Sequence, residues 1–132
     1  MRENIGVFRG KCAGKWLYGN LTINSNGTCQ IWENTDVGFF PAVVNSETVG
    51  EFTGLTDKNG VRIFEGDIVR TYDPDDSPAV VKYDIGETMF AVVIDNIFFG
   101  LGEHFNGNDL TIIGNIHENP ELLEGEIDEQ NR

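Results

Sequence analysis

The stretch EFTGLTDKNGVRIFEGDIVR, residues 51–70, decides how this chain folds. Gly54, Gly60 and Gly66 recur at six-residue intervals, each between short apolar segments. Asp57-Lys58-Asn59-Gly60 carries turn chemistry. Asp bonds its own backbone two residues on, Asn tolerates the left-handed region, and Gly enters it without a Cβ clash. Val61, Ile63 and Phe64 follow, and Glu65-Gly66-Asp67 turns the chain again. There Gly66 permits a sharp bend, and Asp67 is expected to cap the corner with a backbone hydrogen bond. Ile68 to Tyr72 is β-branched and aromatic, and Pro74 stops it.

Working outward, other segments read as strands. Lys15-Trp16-Leu17-Tyr18 places two aromatics on one face of a strand. Leu21-Thr22-Ile23 and Thr28 to Trp32 flank Asn26-Gly27, a strong hairpin signal. In that register Leu21, Ile23, Cys29 and Ile31 share the buried face, which makes Cys29 a core thiol. Residues 33–42 read as a loop stopped by Pro41. Phe39 and Phe40 are expected to be buried by its folding back, with an exposed contact patch as the other reading. Asn45 to Thr48 is a turn or one helical turn, and Val49 to Thr53 leads into the organising stretch as a strand. Ala79 to Tyr83 and Thr88 to Ile94 form a second hairpin, covered on both faces. Leu110 to Ile113 is a last strand, bent at Gly114-Asn115. Asn119-Pro120-Glu121 then has the composition of a helix start, and Gly125 ends the helix before an acidic, frayed remainder.

The chain has 132 residues, enough for one domain that needs no staples. Its 16 glycines fit many tight turns and disfavour a helical bundle. Cys12 and Cys29 belong to no CxxC or Cys/His cluster, and no charged-then-apolar leader opens the sequence. Reduced thiols in a cytosol are therefore expected. The apolar run Met89 to Ile94 is too short to span a bilayer, so no membrane partner is expected.

Net charge is −13, from 22 acidic and 9 basic residues. It is +3 over residues 1–15, −11 over 16–116 and −5 over 117–132. An acidic body repels phosphate, which disfavours direct nucleic-acid binding.

Catalysis needs a nucleophile, base or metal at defined spacing. No HxxxH, HExxH, Walker loop or nucleophile elbow occurs. Gly100-Leu101-Gly102 lacks the remainder of a dinucleotide fingerprint. Asp73 to Pro78, DPDDSP, lacks the Gly and terminal Glu of a Ca²⁺ loop. Catalytic, cofactor-binding and metal-binding residues are accordingly all expected to be none. Glu65, Asp67 and His104 are the side chains a hydrolase would have to use.

Lys15-Trp16-Leu17-Tyr18-Gly19, Glu47 to Asp57, Lys58-Asn59-Gly60, Ile63 to Val69 and Ile113 to Leu123 occur in that order along the chain. In these motifs it resembles the YopX-like family of phage and prophage proteins. Thr56 and His117 stand where the family more often has Lys and Tyr. The resemblance implies a phage-encoded, mostly β protein acting in the cytoplasm of a bacterial host. It brings no established activity and no catalytic residue. Gly54, Asp57, Gly60, Gly66, Asp67, Gly114, Asn115 and Pro120 are read as a structural motif of turns and caps.

The expected fold is mainly β: a small barrel-like antiparallel domain with an N-terminal β extension and a short C-terminal helix. The expected division of this single domain is 1–48 for the extension, 49–118 for the core and 119–132 for the helix and acidic tail. Three functions fit. One is a non-enzymatic accessory protein that binds a host or phage protein, or a second copy of itself. Another is an acidic mimic of nucleic acid that inhibits a host DNA-binding protein. The third is a small hydrolase acting on a nucleotide or sugar.

Overall fold

The computed structural model describes residues 7–123. The fold is mainly β, in two antiparallel sheets with a helical turn at its C-terminal end. The chain divides into two compact units, residues 1–52 and 53–132.

In the first unit, β1 (Phe8–Cys12), β2 (Lys15–Ile23), β3 (Cys29–Thr35) and β4 (Gly38–Thr56) pair in sequence order, and β4 returns to β1. The result is a closed ring, which removes free edges along β1. Two long strands make closure possible by changing partner midway. β2 pairs with β1 as far as Gly19 and with β3 from Asn20. β4 pairs with β3 up to Val44 and with β1 from Asn45.

Each change of partner has a chemical cause. At Gly19 a Cβ would collide with the Trp32 carbonyl oxygen, so only glycine lets the strands approach. In β4 the register slips between the pairs Arg9↔Gly50 and Lys11↔Asn45. Residues 45–48 form the bulge that absorbs the slip, not the separate turn expected there. The Glu47 N–H donates to Asn45 Oδ1 at 3.0 Å, and the Thr48 hydroxyl donates to the Asn45 carbonyl at 2.6 Å. Thr48 Oγ1 then accepts the Lys11 N–H at 2.8 Å, tying the bulge to β1.

Leu17, Cys29, Ile31 and Val44 form the core inside this ring, joined by Phe8, Cys12, Leu21, Ala42 and Val49. Cys29 is a buried free thiol. The register Leu21↔Ile31 and Ile23↔Cys29 puts these four residues on one face, but Ile23, at the strand end, is exposed. Residues 33–42 are not a loop. β3 and β4 continue as a two-stranded arm around a two-residue turn at Asp36-Val37. Phe39 and Phe40 lie on that arm and are each 53% exposed, so burial by a folded-back loop is corrected. Their backbones are held by β3, and no apolar contact is needed to order them.

In the second unit the sheet order is β10-β6-β7-β8-β9. The strands are β6 (Asp67–Thr71), β7 (Ala79–Asp84), β8 (Met89–Ile94), β9 (Ile97–Gly100) and β10 (Leu110–Asn115), and the short β5 (Arg62–Phe64) pairs with β4. Ile63, Val69, Ala79, Val81, Val92, Ile94, Phe105 and Leu110 make the core. The β8–β9 turn is Asp95-Asn96, both at positive φ, as a type I′ turn requires. Its sequence, Asp-Asn between apolar runs, is the signal that this hairpin offered. A 3-10 helix, Gly107–Asp109, precedes β10. Residues 121–123 are helical. The Asn119 side chain does not cap them; its Oδ1 accepts the Asn115 N–H at 3.2 Å. The stop at Gly125 and the acidic remainder lie outside the described residues.

Gly19→Ala is expected to lower stability by about 1–3 kcal/mol through overpacking against Trp32. Gly14 (φ +81°) has open space around its Cβ direction, so Gly14→Ala should cost only the left-handed strain of roughly 1 kcal/mol. Urea midpoints of the two variants check the order.

Candidate functional site

Asp57 is buried, and its carboxylate is surrounded by backbone donors. Oδ1 accepts the N–H groups of Asn59 (2.9 Å) and Val61 (3.0 Å). Oδ2 accepts the Ile112 N–H at 3.0 Å, across 55 positions of sequence. The Asp57 N–H donates to the Val61 carbonyl, the Gly60 N–H to the Asp57 carbonyl, and the Lys58 N–H to the Leu110 carbonyl. Gly60 supplies the positive φ (81°) that the turn needs. One side chain thus closes the 57–61 turn and fastens it to β10. Burial alone would raise the pKa of this carboxyl. The donors from Ile112, Val61 and Asn59, with Lys58 nearby, outweigh burial and hold it below its ordinary value of 3.8.

The second corner is built the same way on a smaller scale. Asp67 is buried, and its Oδ2 accepts the Phe64 N–H at 2.8 Å. Gly66 has φ +95°; its N–H donates to Val81, and its carbonyl accepts from Ile116. Asn115 pairs with Asp67 in the β6–β10 ladder and is itself a hub. Its Oδ1 accepts from His117 N (3.0 Å) and Glu118 N (2.9 Å), and its Nδ2 donates to Glu118 Oε1 at 2.7 Å. Gly114 is required beneath it, because a Cβ there would press on the Asn119 side chain at 2.5 Å. Gly54 (φ +91°) kinks the end of β4 between Thr53, whose hydroxyl donates to the Ile63 carbonyl, and Leu55. The Pro120 carbonyl accepts the Leu123 N–H.

Asp67 and His104, two of the three hydrolase candidates, do not meet. Asp67 opens β6, whereas the segment carrying His104 returns beside the other end of that strand. There Leu110 pairs with Thr71, and Phe105 packs on Tyr72. The length of β6, about 13 Å at strand rise, lies between them. His104 is exposed, with its ring edge-on to Phe99 at 5.5 Å. In the DPDDSP loop, Asp73 Oδ1 accepts the Asp75 N–H, and Asp76 accepts the Thr71 hydroxyl at 2.7 Å. Among the described residues no three His, Cys, Asp or Glu side chains converge on a point that could hold a metal ion.

The arm of the first unit offers a different kind of site. Trp32↔Pro41 and Gln30↔Val43 are cross-strand pairs, so Trp32, Phe39, Pro41 and Val43 share the face opposite Ile31, Ala42 and Val44. Phe39 and Val43 are more than half exposed, and Val37 at the tip is 82% exposed. The Trp32 indole N–H donates to the Thr22 hydroxyl at 2.9 Å, which fixes the ring on that face. Asp36 lies in the turn at its end, whereas Glu33 and Phe40 pair on the opposite face. Sequence reasoning missed Trp32 and Val43 as members of this face. Their alternation with Ile31 and Val44 is the period-two signal that would have found them. Elsewhere in the unit, Arg9 and Lys11 lie over the Trp16 ring at 4.4 and 5.3 Å. Two of the four basic residues in the opening segment are thereby engaged by an aromatic face.

Comparison with known proteins agrees with this architecture. The model of the YopX protein family matches residues 8–124, and the chain belongs to that family. Its fold is similar to the crystal structure of protein EF1440 from Enterococcus faecalis, with a TM-score of 0.55 and 25% identity. That match covers 92% of this chain and 99% of the other. It is also similar to protein yopX from Bacillus subtilis, with a TM-score of 0.57 and 20% identity, covering 89% and 97% of the two chains. No curated protein matches the chain. Among the described residues no helix is long and apolar enough to cross a membrane.

Asp57→Asn replaces one acceptor oxygen by a donor facing a backbone N–H, at an expected cost of ~1–3 kcal/mol. The pH dependence has a definite sign. The folded carboxyl titrates below 3.8, so the unfolded chain takes up the proton first as pH falls. Stability contributed by Asp57 is complete above that unfolded value and is lost as pH falls through the folded one. Urea midpoints of wild type should therefore drop more steeply into acid than those of Asp57→Asn.

Proposed function

We propose that this chain is a non-enzymatic accessory module that binds a partner protein through the outer face of the β3–β4 arm. The observation that carries this is the row Trp32, Phe39, Pro41 and Val43, apolar and solvent-facing on a strand pair whose other face supplies Ile31 and Val44 to the core. Large apolar groups gathered on one exposed face are the signature of a contact surface. Asp36 in the turn at the end of the row favours a partner whose apolar patch carries Lys or Arg at its rim. The setting we infer is the cytoplasm of a bacterial host, with the gene carried by a phage or prophage. Relatives from Bacillus subtilis and Enterococcus faecalis support a bacterial setting. Imitation of nucleic acid is the weaker alternative, because Asp57 and Asp67 are buried in turns and contribute nothing to a surface of carboxylates.

The experiment is capture of proteins from phage-infected cells on immobilised chain, with three baits. Wild type should retain a partner, Phe39→Asp should lose it, and Ile85→Asp should keep it. Ile85 is 84% exposed on a different hairpin and controls for general stickiness. Equal capture by all three baits, or by none, would contradict the proposal.

A further inference from the structure

Among the described residues the edges of β10, of β4 on the arm and of β9 are treated differently. The β10 edge is closed. Its Ile112 N–H goes to Asp57, its Leu110 carbonyl goes to the Lys58 N–H, and its ladder is broken by a register shift between Ile112 and Gly114. The β4 edge on the arm is stopped by proline. The two-residue turn makes Thr35↔Gly38 a hydrogen-bonded pair, and alternation along the ladder makes Trp32↔Pro41 a non-bonded one. The Pro41 nitrogen thus faces outward, where it removes a donor that a visiting strand would need.

The β9 edge carries neither device. Its residues are Ile97-Phe98-Phe99-Gly100, with no charge and no proline. Ile97 is 58% and Phe98 47% exposed. The Asp95-Asn96 turn makes Ile94↔Ile97 the bonded pair, so at Val93↔Phe98 both backbone groups of Phe98 point away from β8. At the next outward position the Gly100 carbonyl already accepts the His104 N–H at 2.9 Å. The open part of the edge is therefore centred on Phe98.

We infer that this edge pairs with the same edge of a second copy, antiparallel about a two-fold axis through Phe98. An isologous contact needs a self-complementary strand, and an antiparallel pair centred on one residue provides it. Phe98 of each copy gives its N–H to the other's carbonyl, and the two Phe98 rings lie side by side. In this register Asp95 stands opposite Leu101 of the second copy, so no carboxylate faces another. That matters in a chain with a net charge of −13, for which an uncharged edge is where two copies can approach.

The test is sedimentation of the full chain across a concentration series at low and high salt. Wild type should reach twice the monomer mass, with tighter association at high salt as the mutual repulsion is screened. Phe98→Lys adds a charge at an exposed side chain and should return the mass to that of the monomer. Phe98→Pro places proline as Pro41 is placed in β4, and should do the same. Unchanged circular dichroism would show that each variant folds. A wild type that stays monomeric at every concentration and salt overturns the inference. So does a dimer that persists in both variants, which would put the interface elsewhere.

Discussion

A buried carboxylate that receives three backbone N–H groups holds the second unit together. Asp57 joins a local turn to a strand 55 residues away, so the β4–β5 connection and β10 are positioned by one side chain. A neutral side chain could not do this as well. Charge-assisted hydrogen bonds are stronger than neutral ones, and donors aimed at a buried point are costly when left unmet. The same carboxylate that closes the turn through Oδ1 closes the β10 edge through Oδ2, and architecture and resistance to unwanted pairing come from one side chain.

Strand edges then organise the rest. The first unit removes most of its edges by closing a ring, which requires Gly19 at one change of partner and the Asn45–Thr48 bulge at the other. What protrudes from the ring is the arm, guarded by Pro41 along its edge while its outer face stays apolar. Blocking a backbone edge while leaving a side-chain face open permits recognition by surface complementarity and prevents runaway strand addition. In the second unit the uncharged edge at β9 is short and centred on Phe98.

Much of this was legible in the sequence, and the boundary is physical. The bond from Asp57 to the Asn59 N–H spans two residues and can be read from spacing, as can the positive φ of Gly60 and Gly66. The bond from Asp57 to Ile112 depends on tertiary placement, and no local pattern announces it. The arm was misread because Gly38 and Pro41 are breakers in most strands. Here Gly38 sits beside the turn and Pro41 faces outward, so neither costs a ladder bond. Burial of Phe39 and Phe40 was inferred from hydrophobicity, which states a preference for the interior but cannot say that the interior is already filled by Ile31 and Val44. The hydrolase residues illustrate the converse. Asp67 and His104 are near in chemistry and far in space, and only the β6–β10 pairing shows it.

The most direct measurement is amide hydrogen exchange at Asn59, Val61 and Ile112 in the native protein. All three amides are expected to exchange only when the second unit opens as a whole, with Ile112 as slow as the core amide of Val81. Exchange of the Ile112 amide at the rate of an open turn, while Val81 stays protected, would contradict the claim that Asp57 binds turn and strand together.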